Sequence, residues 1–309
     1  MHSSRQQLIS GIKQGLARFK PYFRWLILGA TLFFIATVLH RHWDEVKTLR
    51  IDNWQWLGMS VGVTLLAHIW TGWVWGWILR ALGQPASARW SVLVYLKTNI
   101  TKYLPGNIWH FYGRVLAAKQ AGMSTSAATL SVLLEPLLMA AAALIIALLN
   151  VSQNWGLQLL CLAVVLMAVH PSVLNGLVQL ASRLKGKAED RSQVPTQISR
   201  YPWLPLLGEI GFVTLRGIGF LLTLQALQPI PLMQFPIVFS AFSIAWLLGL
   251  VIPGAPGGIG VFEATTIALL NSHLPTSVIL GSVALYRLIS TLAELIGAGL
   301  AYWIDRAEA

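Results

Sequence analysis

Charged residues are scarce in this 309-residue chain and make up only 11% of it, against roughly 25% in ordinary soluble domains. Hydrophobic residues account for 56%, and the mean hydropathy is +0.65. One soluble core could not bury that much apolar surface, so the composition excludes an ordinary soluble domain.

Cysteine is nearly absent, which excludes a disulfide framework. The single Cys161 lies within an apolar run, and we expect it to be a small buried hydrophobic residue. The seven histidines form no HExxH motif, and no CxxC pair occurs. The sequence therefore predicts neither a metal site nor a cofactor.

Long runs without charge are abundant. Residues Trp54–Leu79 and Val151–Ala181 carry no charge, and Phe23–Leu39 carries only Arg24 near its start. A helix of about 20 apolar residues crosses a bilayer. The chain is therefore predicted to be an all-α polytopic membrane protein.

The net charge of +11 is concentrated in three segments, Met1–Arg24, Arg80–Lys119 and Arg183–Arg200. Loops between them are not basic, an alternation typical of the positive-inside rule and not of nucleic-acid binding. We therefore expect cytoplasmic N- and C-termini. The first apolar segment lacks a signal-peptidase site, which indicates an uncleaved anchor.

The sequence repeats itself at an offset of 151 residues. Pro105–Gly106 then aligns with Pro256–Gly257, and Thr125–Ser126 aligns with Thr276–Ser277. We divide a single membrane domain, residues 1–309, into a first repeat, 1–150, and a second, 151–309. Each half reads as two spans, one broken element and one further span.

The predicted spans are Tyr22–Leu39, Trp54–Leu79, Ser126–Leu149, Gly156–Leu180, Pro202–Leu227 and Thr276–Trp303, and the broken elements are Ala88–Ala121 and Met233–Asn271. A broken element whose two arms enter and leave on one face adds no crossing, so each half crosses three times. The expected fold is thus an inverted repeat with six spans and two opposed re-entrant hairpins. Inverted repeats with interrupted helices are typical of transporters.

The interruptions read LPGN at Leu104–Asn107 and PGAPGG at Pro253–Gly258. One hypothesis is that the helix restarting near Ile259 offers free N–H groups to an anion. The alternative is a tight turn in which glycine serves geometry alone. Under the first hypothesis, Gly258→Ala and Gly260→Ala should fold almost normally and lose lipid binding, with Gly76→Ala as a silent control.

Charged side chains accompany both breaks and also lie within predicted spans. Each is costly in a bilayer unless it is paired or faces a polar cavity. Glu209 and Arg216 are seven residues apart, as are Arg287 and Glu294, which places each pair on one helix face. We expect Glu209 and Glu294 to form internal salt bridges.

The chain resembles the lysylphosphatidylglycerol synthase transmembrane family over essentially its whole length. The resemblance is carried by three segments, KYLPGNIWHFYGR, PGAPGGIGVFEA and the later YRL. The resemblance implies a bacterial or archaeal inner-membrane protein that moves a polar-headgroup lipid between leaflets. The implied headgroup-binding positions are Lys102, Pro105, Gly106, Arg114, Glu135, Gly257, Gly258, Gly260, Glu263 and Arg287. We add Asn107 from the first break, and Lys97 and Arg216 are secondary candidates. Pro136 stands where a basic residue is expected, so the partner of Glu135 is open. The aminoacyl-transferase domain is not expected in this chain.

The predicted function is lipid transport, with a membrane phospholipid or another lipid-linked polar headgroup as the partner. A scaffold for a separate lipid-modifying enzyme is the alternative, and self-association is left open. A membrane-embedded enzyme is less favoured, because no GxSG or GxGD motif occurs and no Asp lies within a predicted span.

Overall fold

The computed structural model describes residues 51, 53–103, 108–150, 155–176, 198, 200–252, 258 and 260–307. The predicted first span, Tyr22–Leu39, lies outside the described residues. So do Pro105, Gly106, Asn107 and Gly257, four of the predicted site residues.

The described part of the chain is helical and contains no strand. The α-helices are α1 Trp54–Ala81, α2 Ala88–Asn99, α3 Trp109–Gln120, α4 Thr125–Ala147, α5 Trp155–Ala168, α6 Trp203–Leu227, α7 Phe235–Val251, α8 Val261–Leu270 and α9 Thr276–Arg306. Five helical stretches within the described ranges are long and apolar enough to cross a membrane: Trp54–Ala81, Thr125–Ala147, Trp203–Leu227, Leu232–Val251 and Thr276–Arg306. The chain is a polytopic α-helical membrane protein, as predicted.

Side-chain caps explain where α1 and α4 begin. Asn53 accepts a hydrogen bond from the Gln55 amide at 3.1 Å and opens α1, and Ser124 accepts one from the Ala127 amide at 3.2 Å and opens α4. Caps of this kind satisfy N–H groups that have no partner within the helix. The predicted bounds of four spans are confirmed to within three residues.

The fourth predicted span, Gly156–Leu180, is wrong as a continuous helix. Helix α5 ends at Ala168, and a second helical segment, 171–176, begins after a break at His170. Pro171 lacks an N–H and is favoured at the first position of a helix, so a new helical segment begins there. Cys161 on α5 is exposed and not buried, which also corrects the prediction for that residue.

Helices α1 and α6, the second predicted span of each half, form the central pair. Small residues allow the close approach: Gly208 faces Val74 and Trp77, and Trp70 donates a hydrogen bond to the Gly208 carbonyl at 2.7 Å. Small residues at such contacts are typical of membrane helix packing.

Two hairpins flank this pair. In hairpin 1, α2 continues through a 3-10 turn, Ile100–Tyr103, and α3 packs back against it; in hairpin 2, α8 packs back against α7. The helix that follows each hairpin packs against the first arm of the other: α4 contacts α7, and α9 contacts α2. Helix α9 also contacts α8 and the 3-10 turn, so both hairpins meet the same helix.

Candidate functional site

One face of α9 carries Arg287, Thr291 and Glu294, which lie three to four residues apart and therefore align along the helix. Arg287 and Glu294 are separated by about 10 Å along the axis at the helical rise. Both hairpins place polar side chains against this face. We call the resulting group the α9 site; its members are Lys102, Tyr103, Glu263, Arg287, Thr291 and Glu294, with His68, Arg216 and Ser290 behind them.

Hairpin 1 reaches the α9 site through its 3-10 turn. The Lys102 Nζ lies 2.5 Å from Glu294 Oε1, and the Tyr103 hydroxyl lies 3.1 Å from Thr291 Oγ1. The Lys102 side chain is 25% exposed, whereas the Glu294 side chain is almost fully buried. The lysine is thus the accessible member of this pair.

Hairpin 2 reaches the same face through Glu263 in the first turn of α8. Arg287 Nε donates to Glu263 Oε1, and Glu263 Oε2 accepts the Gly260 N–H at 2.6 Å. The N–H of Gly260 at this helix start is therefore not free, because the chain's own carboxylate binds it, and the availability of the other N–H groups there stays a prediction. Arg287 remains 32% exposed at its side chain.

A second layer lies behind these pairs. Arg216 Nη1 donates to Ser290 Oγ at 2.7 Å and lies 3.3 Å from His68 Nε2, which in turn lies 3.3 Å from Glu294 Oε1. The Tyr286 hydroxyl donates to the Arg216 carbonyl at 2.8 Å. Arg216 has no carboxylate partner among the described residues.

The α9 site carries an excess of positive charge. Its cations are Lys102, Arg216 and Arg287, and its carboxylates are Glu263 and Glu294. Among the described residues, and with His68 neutral, the site has one more positive than negative charge in a low-dielectric setting, where unpaired charge is costly. An anionic ligand would compensate it.

Arg114 and Glu135 form a separate buried pair, with side-chain exposures of 3% and 2%. The guanidinium also lies over the rings of Trp75, Tyr95 and Phe111, at 4.5 to 5.8 Å. Arg114 on α3 is thus the partner of Glu135 that was open, and Pro136 removes nothing from the pair. Both residues of this pair are buried, whereas Lys102 and Arg287 of the α9 site are partly exposed.

The remaining charges correct the predicted pairings. Glu294 forms an internal salt bridge as expected, but with Lys102 and not with Arg287. Glu209 has no hydrogen-bond partner among the described residues for either carboxylate oxygen, so its predicted salt bridge is wrong. Lys97 binds Asp305 at 2.5 Å, beyond the α9 site. Side chains seven apart share a face, but here that face meets other helices that supply the partners.

Gly258, in the second break, and Gly260, just before α8, both have a geometric role. Gly258 has φ +69° and Gly260 has φ +84°, a region that L-residues disfavour. A Cβ on Gly258 would lie 2.9 Å from the Gly249 Cα. The expectation that alanine here would leave folding almost normal is therefore wrong. Gly76 is no silent control either, because a Cβ there would clash with Ser91.

The family model of the lysylphosphatidylglycerol synthase transmembrane region matches residues 23–297. The chain belongs to this family. No curated protein matches it. The match includes every residue of the α9 site.

Sequence reasoning missed several residues of this family member's α9 site, namely His68, Tyr103, Ser290 and Thr291. His68 carried a usable signal, because it is the one ionisable residue before Arg80 in the second predicted span, and such residues are functional candidates by default. The hydroxyl residues carried none, since serine and threonine are common in membrane helices.

Proposed function

We propose that this protein binds a lipid with a phosphate-bearing headgroup at the α9 site and moves it between the leaflets of a bacterial or archaeal inner membrane. The observation that carries the proposal is the excess positive charge where two interrupted helices meet one helix. Two of the cations, Lys102 and Arg287, are accessible at their side chains. Arginine and lysine near such a junction suit a phosphate group.

Glu263 is an internal counter-ion in this proposal. Its carboxylate already binds Arg287 and the N–H of Gly260 just before α8, groups that a phosphate would use. A headgroup phosphate would displace the carboxylate from Arg287, and the carboxylate would then be available to a cationic group on the same lipid. The reverse exchange would release the lipid, so no chemistry on the lipid is required.

The packing supports an inverted repeat as the device that moves the lipid. Exchanging the halves pairs α1 with α6, α2 with α7, α3 with α8 and α4 with α9. The contacts of α4 with α6 and α7 then correspond to those of α9 with α1 and α2. Two equivalent halves packed in this way can alternate between two arrangements around one site. Re-entrant hairpins and cytoplasmic termini belong to the same proposal.

The experiment is lipid movement in vesicles that contain the purified protein, with a fluorescently tagged phosphatidylglycerol as the probe and a membrane-impermeant quencher. Arg287→Gln and Lys102→Gln should each slow movement severalfold while membrane insertion stays intact. Arg306→Gln, on the exposed end of α9, and Lys119→Gln, on the exposed end of α3, are matched controls that remove the same charges elsewhere.

Controls that move the probe at the wild-type rate, with both site variants impaired, would support the α9 site. Equal rates in all four variants would remove Lys102 and Arg287 from lipid binding and leave them as structural ion pairs. Equal slowing in all four would show that general surface charge, and not the α9 site, attracts the probe.

A further inference from the structure

Glu209 is the carboxylate that the proposed lipid site does not use. It lies about 9 Å along α6 from Trp203 at the helical rise, with 0% of the residue exposed. Neither carboxylate oxygen has a hydrogen-bond partner in the described part of the chain. The other described buried glutamates, Glu135, Glu263 and Glu294, each bind an arginine or a lysine.

The residues next to Glu209 on α6 pack tightly against α1. Gly208, the residue before Glu209, faces Val74 and Trp77 of α1. Gly211, two residues after Glu209, faces Trp70 of the same helix. Trp70, Trp73 and Trp77 pack together with ring centroids 5.4 to 5.8 Å apart. A bare carboxylate in such a place would cost several kcal/mol, and a buried carboxyl group avoids this by holding a proton.

Tyr95 on α2 interacts electrostatically with Glu209, and so do Glu135 on α4 and Arg114 on α3. Glu135 and Arg114 are bound to each other, so Arg114 is not a free counter-ion for Glu209. Helix α7 contributes no titratable side chain. The titratable groups near the packed parts of α1 and α9 have partners of their own: His68, Arg80, Tyr286, Arg287 and Glu294.

We propose that Glu209 is a proton-binding site that makes the movement of lipid depend on pH. In the arrangement seen here the carboxyl group holds a proton taken from water. When α1 and α6 separate, or when Arg114 leaves Glu135, the ionised form of Glu209 is no longer strongly destabilised, and the proton returns to water. The step forms and breaks one O–H bond and needs no other reactant. Its transport part rests on the proposed function; its protonation part does not.

The first test compares the same substitution at two buried glutamates. Glu209→Gln replaces a neutral acid by a neutral amide of the same shape, so the melting temperature of the full chain in detergent should stay close to the wild-type value. Glu135→Gln leaves Arg114 buried without its carboxylate and should lower the melting temperature clearly. An equal loss in both variants would overturn the assignment of a neutral Glu209.

The second test follows the proton directly. Infrared difference spectra across the neutral and alkaline pH range should show a protonated-carboxyl band that is absent from Glu209→Gln. The tryptophan fluorescence of the α1 cluster should change over the same pH interval in the wild type only. A wild-type spectrum without that band would refute the proposal whether or not any lipid moves.

The third test measures movement of the tagged phosphatidylglycerol at several pH values. The wild type should change its rate severalfold with pH, and Glu209→Gln should be slow and insensitive to pH. A wild-type rate that does not vary with pH would overturn the coupling while leaving the proposed lipid transport in place. No movement in any vesicle would overturn both the transport function and the coupling, and the infrared band would still decide the protonation.

Discussion

Replacing Gly258 by alanine should destabilise the fold, and the structure sets the size of the effect. The residue has φ +69°, and the added Cβ would lie 2.9 Å from the Gly249 Cα and 3.4 Å from its carbonyl carbon. Backbone atoms cannot rotate away as a flexible side chain can. The left-handed conformation costs about 1–2 kcal/mol and overpacking about 1–3 kcal/mol, which together make about 2–5 kcal/mol.

The assay is thermal unfolding of the purified protein in detergent, followed by circular dichroism. Gly62→Ala on α1 and Gly299→Ala on α9 are the controls, because a Cβ at either position meets nothing within 4 Å. Alanine in a helix interior is favoured over glycine by about 0.5–1 kcal/mol, so both controls should melt at or above the wild-type temperature. A Gly258→Ala variant as stable as these controls would refute the close backbone approach of α7 to the second break.

Three further predictions concern the buried ion pair, the packing of α1 on α2, and the membrane topology expected from the sequence. Arg114→Gln should cost about 3–5 kcal/mol in denaturant unfolding because Glu135 is left as an unpaired buried charge; an Arg114→Gln/Glu135→Gln double variant as unstable as the sum of the singles would contradict the pairing. Gly76→Ala should lower the melting temperature, because a Cβ there would clash with Ser91 on α2, and an unchanged value would show that α2 shifts freely. In a Cys161→Ser background, single cysteines at Ser4, Ser192 and Ala309 should react only from inside and one at Ser272 only from outside; outside reaction at Ala309 would break the inverted repeat.

The helices could be predicted from the sequence because a local property determines them. Runs without charge, such as Trp54–Leu79, leave the backbone no option in a bilayer except a helix. The break before Pro171 was not predicted, because the residues on both sides of it are apolar. Hydropathy averaged over a whole span does not reveal an interruption of a single turn. Hairpin arms were recognised because proline and glycine interrupt the run.

The pairings of charges could not be predicted, because they depend on how distant segments pack. Lys102 and Glu294 are 192 residues apart, and nothing in local spacing connects them. Spacing suggested Arg287 with Glu294, which share a face of α9, yet each binds a residue from a different hairpin. Gly258 and Gly249 are near in sequence, but their close approach depends on how α8 packs back against α7.

Movement of the tagged phosphatidylglycerol by the purified wild-type protein alone is the measurement that tests the central claim most directly. In vesicles that contain no other protein, the inner-leaflet probe should become accessible to the impermeant quencher much faster than in protein-free vesicles. Inactivation of the α9 site by Arg287→Gln should return the rate toward the protein-free value. A wild-type rate equal to that of protein-free vesicles would contradict lipid transport and favour a scaffold for a lipid-modifying enzyme.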